Sequence, residues 1–147
     1  MKRSVLFLPL LLLAGCQGPS FVGTWTSEVD MNVSKVPVTL TVKQDGTWTG
    51  TMKTKGISTP MMQIPAMTAT ADGAWKVDGD SLTWTGSNAT VTDAPPIVMP
   101  FKSKVEEEVK TGINRWNTAK IKFPDAKTAE LTLQSGDKVT LTRVTAS

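Results

Sequence analysis

Val36-Pro37-Val38-Thr39-Leu40-Thr41-Val42 places four apolar side chains on one parity, with Thr39 and Thr41 on the other. A period of two is the signature of a half-buried strand, and threonine suits its solvated face. Gln44-Asp45-Gly46 follows, and Asp-Gly readily supplies the positive φ that a hairpin turn requires. Thr47 to Lys55 then alternates again, with Trp48 and Met52 sharing a parity and Gly50 between them.

The same pattern recurs along the chain. Ala74 to Val77, the turn Asp78-Gly79-Asp80 and Ser81 to Thr85 make a second hairpin. Glu130 to Gln134, the turn Ser135-Gly136-Asp137 and Lys138 to Val144 make a third. With Val22 to Val29 and Ala119 to Phe123 added, about eight strands are joined mainly by short turns. The expectation is an all-β, antiparallel up-and-down meander closed or half-open as a barrel.

Two segments interrupt it. Gly56 to Ala69, with Pro60, Pro65, Met61, Met62 and Met67, reads as a long apolar loop or irregular strand. Pro95, Pro96 and Pro100 break any strand through Ala94 to Phe101. Beyond them Ser103 and Glu106 fit a capping box, and Val105, Val109, Ile113 and Trp116 have helical spacing. Glu106 and Lys110 offer an i,i+4 pair, and Gly112 a stop. These signals predict one short helix over Lys104 to Thr111, with an edge strand as the alternative.

The N-terminus reads as an address. Lys2 and Arg3 precede an apolar run from Val5 to Leu13. Such a run is too short for a membrane-spanning helix, which needs roughly 20 residues, but it suits a secretory signal. Leu13-Ala14-Gly15-Cys16 resembles the bacterial lipobox. That resemblance implies cleavage between Gly15 and Cys16, a diacylglycerol on the Cys16 sulfur and an acylated new amino group, anchoring the chain in a membrane. Gln17, rather than Asp, after the Cys favours by the same resemblance, in a diderm host, the outer membrane facing the periplasm. The chain then divides into a signal peptide (1–15), the lipidated Cys with a short tether (16–20) and a β domain (21–147).

A second resemblance lies at the ends of that domain. Phe21-Val22-Gly23-Thr24-Trp25 opens the first strand, and Leu141-Thr142-Arg143-Val144 closes the last. This is similar to the calycin pattern of lipocalins and fatty-acid-binding proteins, in which Gly-x-Trp begins the barrel and a late Arg meets the Trp. Bacterial lipocalin-like lipoproteins share Gly23-Thr24-Trp25, Asp45-Gly46-Thr47 and Gly136-Asp137 in that order. The resemblance implies that Trp25 plugs the narrow end, that Arg143 stacks on it and caps carbonyls, and that Gly23 permits close approach. Two calycin features are missing. Asp30 to Lys35 leaves no room for the paired helices of fatty-acid-binding proteins, and Arg143 is not followed two residues later by Tyr. Arg143 is therefore expected to close the barrel rather than hold a carboxylate.

The 147 residues include no His, no Tyr and one Cys. This excludes an intrachain disulfide, a Cys/His zinc site and the usual neutral-pH proton shuttle. No catalytic motif is present, and Asp45, Asp72, Asp78, Asp80 and Asp137 all adjoin glycines, where turns explain them. No enzymatic activity and no cofactor are expected. The net charge of +3 falls once Lys2 and Arg3 leave, since 14 of the 16 basic residues remain against 13 acidic ones. Nothing then points to nucleic acid.

Trp48, Trp75, Trp84 and Trp116 are candidate ligand lining, or ordinary core. Met61, Met62 and Met67, with Met99 in the second Pro-rich loop, suit an adaptable apolar lip. A thioether copper site is the weaker alternative, so no metal is expected. The partners expected are the membrane through Cys16, a small apolar or amphipathic ligand, and as the alternative another envelope protein.

Overall fold

The computed structural model describes residues 20–30, 35–60 and 62–145. The stretch read as signal and lipobox, and residues 17–19 of the expected tether, lie outside them, as does Met61.

Among the described residues, ten strands and one α-helix form: β1 (Gly23–Asp30), β2 (Lys35–Val42), β3 (Thr47–Lys53), β4 (Ile57–Thr59), β5 (Met62–Ile64), β6 (Thr68–Asp78), β7 (Ser81–Thr92), α1 (Lys102–Arg115), β8 (Thr118–Asp125), β9 (Thr128–Leu133) and β10 (Lys138–Arg143). Eight of the strands close an antiparallel barrel in the order β1-β10-β9-β8-β7-β6-β3-β2, and β4 with β5 forms a separate small hairpin. The all-β up-and-down reading with about eight strands and one short helix holds. Pairing of β1 with β10 closes the ring, Trp25 standing opposite Arg143.

Register explains why the alternating pattern works. Trp25 faces Leu40, Leu40 faces Gly50 and Gly50 faces Ala71, so each apolar parity falls on the same side of the wall. The core formed there contains Phe21, Trp25, Leu40, Val42, Trp48, Leu82, Ile121, Ala129 and Leu141. A slip of one residue in any strand would turn its apolar set outward. The one irregularity between β6 and β7 is a bulge at Asp72/Gly73.

Gly56 to Ala69 takes the strand alternative in part, as β4 and β5 pair Ile57 with Ile64 and Thr59 with Met62. One expectation needs correction. The helix is longer than Lys104 to Thr111. Ser103 does not cap it: the N-cap is Phe101, with no side-chain hydrogen bond, and Gly112 lies inside the helix. Glu106 is ion-paired with Lys102 at 3.7 Å, one turn earlier than the expected Lys110.

The helix is positioned by a gap in the wall. β8 pairs with only Ser81 to Thr83 of β7, which continues for nine further residues. Along that stretch α1 supplies side chains where a strand would supply backbone. Asn114 Oδ1 accepts from the Gly86 amide at 2.9 Å and Glu106 Oε1 from the Val91 amide at 2.9 Å. Asn117 carbonyl accepts from the Trp84 amide at 2.8 Å. Buried amides need partners, and here side chains satisfy a strand edge.

Candidate functional site

Hairpin turns alternate between the two ends of an up-and-down barrel, so the ends can be told apart. The β2–β3, β6–β7 and β8–β9 turns share one end with the entering and leaving chain. The β4–β5 hairpin, the proline-rich segment before α1 and the β9–β10 turn share the other.

The first end is sealed. Trp25 has no exposed surface, and its indole Nε1 donates to the Phe21 carbonyl at 2.8 Å. The Arg143 guanidinium lies 4.2 Å from the Trp25 ring centroid. Its Nη1 donates to the Val22 carbonyl at 2.8 Å, its Nε to the Ala126 carbonyl at 3.0 Å and its Nη2 to the Ser20 carbonyl. A planar fork that both stacks and donates needs an Arg rather than a Lys. Gly23 adopts a φ of +141°, and a Cβ there would run into Arg143 Nη1. Phe21 meets Trp75 edge-on at 5.5 Å, and Trp25 lies 6.3 Å from Phe123. The Trp75 Nε1 donates to the Lys43 and Thr47 carbonyls at 2.9 and 3.1 Å.

Above this plug, Trp48 and Trp84 stack at 4.3 Å with planes 13° apart. Trp48 is buried, and its Nε1 donates to the Thr85 carbonyl at 3.0 Å. Small residues make the space: the ring rests against Gly50, and a Cβ on Gly73 would strike both Trp48 Nε1 and the Thr85 carbonyl.

Towards the second end the inward parity changes character. Val38 opposite Met52 and Leu131 opposite Val139 continue the core faces of their strands but stay partly accessible. Ala71 and Ala89, opposed on β6 and β7, do the same. Val36, Ala69 and Val91 nearer the rim are buried again. These inward apolar positions with accessible surface, the cup, stand above a sealed aromatic floor, and Ala71, Leu131 and Val139 pack against the core. Ser27 is the polar residue on this parity of β1, and its hydroxyl donates to the Thr140 carbonyl at 2.8 Å.

The candidate residues thus separate. Trp25, Arg143 and Gly23 come together at the sealed end, and Trp75 belongs to that plug. Trp48 and Trp84 form the stacked pair. Trp116, read as lining, is instead the C-cap of α1 and 44% exposed, because the helix ends there at the surface. Met67 is half-buried before β6, its amide donating to Thr54 Oγ1 at 3.0 Å. The side chain of Met62 is outside the described residues. Met99 lies in a 3₁₀ turn, Met99–Phe101, and is 56% exposed. The cup residues Val38, Met52, Leu131 and Val139 were not singled out from sequence. Their alternation marks a core face, and only the closed barrel reveals which core positions keep accessible surface.

Among the described residues two carboxylates are perturbed, and both lie on exposed turns. The Thr47 hydroxyl and amide hold Asp45 below the usual carboxylate range, and Lys120, at 2.9 Å, does so for Asp80. Among the described residues no group of three or more His, Cys, Asp or Glu is placed to hold a metal. No helix among them is long and apolar enough to cross a membrane.

No family model and no curated protein sequence matches the chain. Among solved structures, the chain is similar to the NMR structure of a protein from Burkholderia xenovorans. Identity is 14%, coverage is 84% of this chain and 83% of that one, and the TM-score is 0.43.

Proposed function

We propose that this chain is a lipid-anchored lipoprotein of the bacterial envelope whose lipocalin-like barrel binds a small apolar or amphipathic molecule. The observation that carries the ligand reading is the cup: partly accessible Val38, Met52, Leu131 and Val139 above a floor closed by Trp25 and Trp48. Eight-stranded barrels are just wide enough to hold one small ligand. The wall is aliphatic, so binding is driven by apolar burial, and Arg143 is already committed to three carbonyls. The anchor reading rests on Leu13-Ala14-Gly15-Cys16 behind its basic and apolar segments.

The ligand reading is tested with 1-anilinonaphthalene-8-sulfonate. Its fluorescence should rise on binding the natural protein, and Ala71→Trp, which fills the cup, should abolish the rise while the barrel stays folded. Undiminished binding in that variant would place the dye elsewhere and end the reading. Palmitate labelling, lost in Cys16→Ser, tests the anchor separately.

A further inference from the structure

We infer that the proline-rich turn at the cup rim, Ile97 to Phe101, is a second membrane contact that takes the surface of an anionic bilayer. The inference rests on the reading of the chain as an anchored envelope lipoprotein, which keeps the domain within reach of lipid.

Three large apolar side chains project there: Ile97 is 70% exposed, Met99 56% and Phe101 62%. Pro95, Pro96 and Pro100 restrict the backbone that presents them, so little order is lost on insertion. Apolar surface concentrated in so few residues marks a contact rather than ordinary scatter.

The charges beside it select the chemistry. α1 begins with Lys102 and Lys104 in its first turn and has no acidic residue there. Cations at a helix N-terminus oppose the macrodipole, and the cap supplies no side-chain acceptor. An anionic headgroup layer offsets both, and lysine stems can lie along the apolar boundary with the ammonium in the headgroups. Glu106 pairs with Lys102 at 3.7 Å, and Glu107 and Glu108 follow it along α1, so Lys104 carries the cationic contact.

The path of the chain gives the geometry. It enters at the sealed end, where Arg143 holds the Ser20 carbonyl. The tether of residues 17–20 reaches about 14 Å when extended. β7 runs from the sealed end to the rim over 12 residues, about 40 Å of strand. One contact at each end lays the barrel along the bilayer rather than upright on it.

Cys16 is the only cysteine, so when it is acylated, Met99→Cys supplies the single free thiol for a nitroxide label. The acylated full chain is reconstituted into vesicles of phosphatidylcholine with or without phosphatidylglycerol. With phosphatidylglycerol, the label should become accessible to oxygen and shielded from a water-soluble relaxation agent. That shielding should fall roughly tenfold when Phe101→Asp is added, as expected for losing about 1.4 kcal/mol of insertion. A label on Thr111→Cys, exposed on α1, should stay in water. A Met99 label that remains in water on both vesicles overturns the inference, as does broadening between labels showing that a second copy covers the turn. A second reactive thiol would show instead that Cys16 is unmodified, which is failure of the anchor reading.

Discussion

Arg143 stacks over Trp25 from the directly opposed position on the neighbouring strand, so the last residue of β10 locks the first turn of β1. The guanidinium also ties Ser20, Val22 and Ala126 by their carbonyls, which joins three separate segments at the sealed end.

Removing that fork should destabilise the barrel. Cation–π stacking is worth about 0.5–2 kcal/mol and each charged hydrogen bond about 1.5–3, with overlap among them. We expect Arg143→Ala to cost about 3 kcal/mol and Arg143→Lys about half as much. The urea midpoint, read at unchanged slope, measures it. No loss in Arg143→Ala would mean the seam closes without the guanidinium.

Two glycine substitutions should have opposite signs. Gly73→Ala forces a Cβ into the Thr85 carbonyl and the Trp48 indole. Backbone must move at the bulge, and a loss of at least about 2 kcal/mol is expected. Gly112→Ala, at a half-buried position of α1, meets nothing within 4 Å. It should raise stability by about 0.5–1 kcal/mol through helix propensity. Thermal melts of the pair decide it.

Asp45 Oδ1 accepts from the Thr47 hydroxyl at 2.6 Å and the Thr47 amide at 2.9 Å. Its folded pKa is therefore below the usual 3.8. A depressed carboxylate contributes stability that is present above the unfolded value and lost as pH falls through the folded one. Thr47→Val should raise the Asp45 pKa towards 3.8 and narrow that acid window. Carbon-detected NMR titration of the carboxyl reads it directly.

The contact between α1 and β7 should open before the barrel does. No residue of α1 is fully buried, and its hold on the strand edge includes Asn114 and Glu106. In Asn114→Ala, the Gly86 amide loses its acceptor, and hydrogen exchange there should rise about tenfold, matching roughly 1.4 kcal/mol. The Leu40 and Trp48 amides should exchange as before. Equal acceleration at all three would mean that the helix and the barrel unfold together.

The barrel was legible because alternation and short turns are local signals. Val36 to Val42 and the Asp45-Gly46 turn suffice to orient a hairpin, and the register then propagates around the ring. The helix ends were less legible, since the Ser103/Glu106 spacing imitates a capping box while Glu106 is in fact drawn to the Val91 amide of a strand distant in sequence. The three-residue strands β4 and β5 are too short to establish a period. Trp116 satisfies helical spacing yet lies past the last turn, where spacing no longer predicts burial. The cup was invisible for a different reason: accessible and filled core positions have the same composition, and only closure separates them.

The seam between β1 and β10 joins Trp25 to Arg143, near opposite ends of the chain. Loop closure over such a span comes late, after the local hairpins have formed. A chain emerging N-terminus first from any channel therefore holds its first strand without its final neighbour until β10 has passed. Completion of the ring is in effect a readout that all eight strands of the barrel have been delivered.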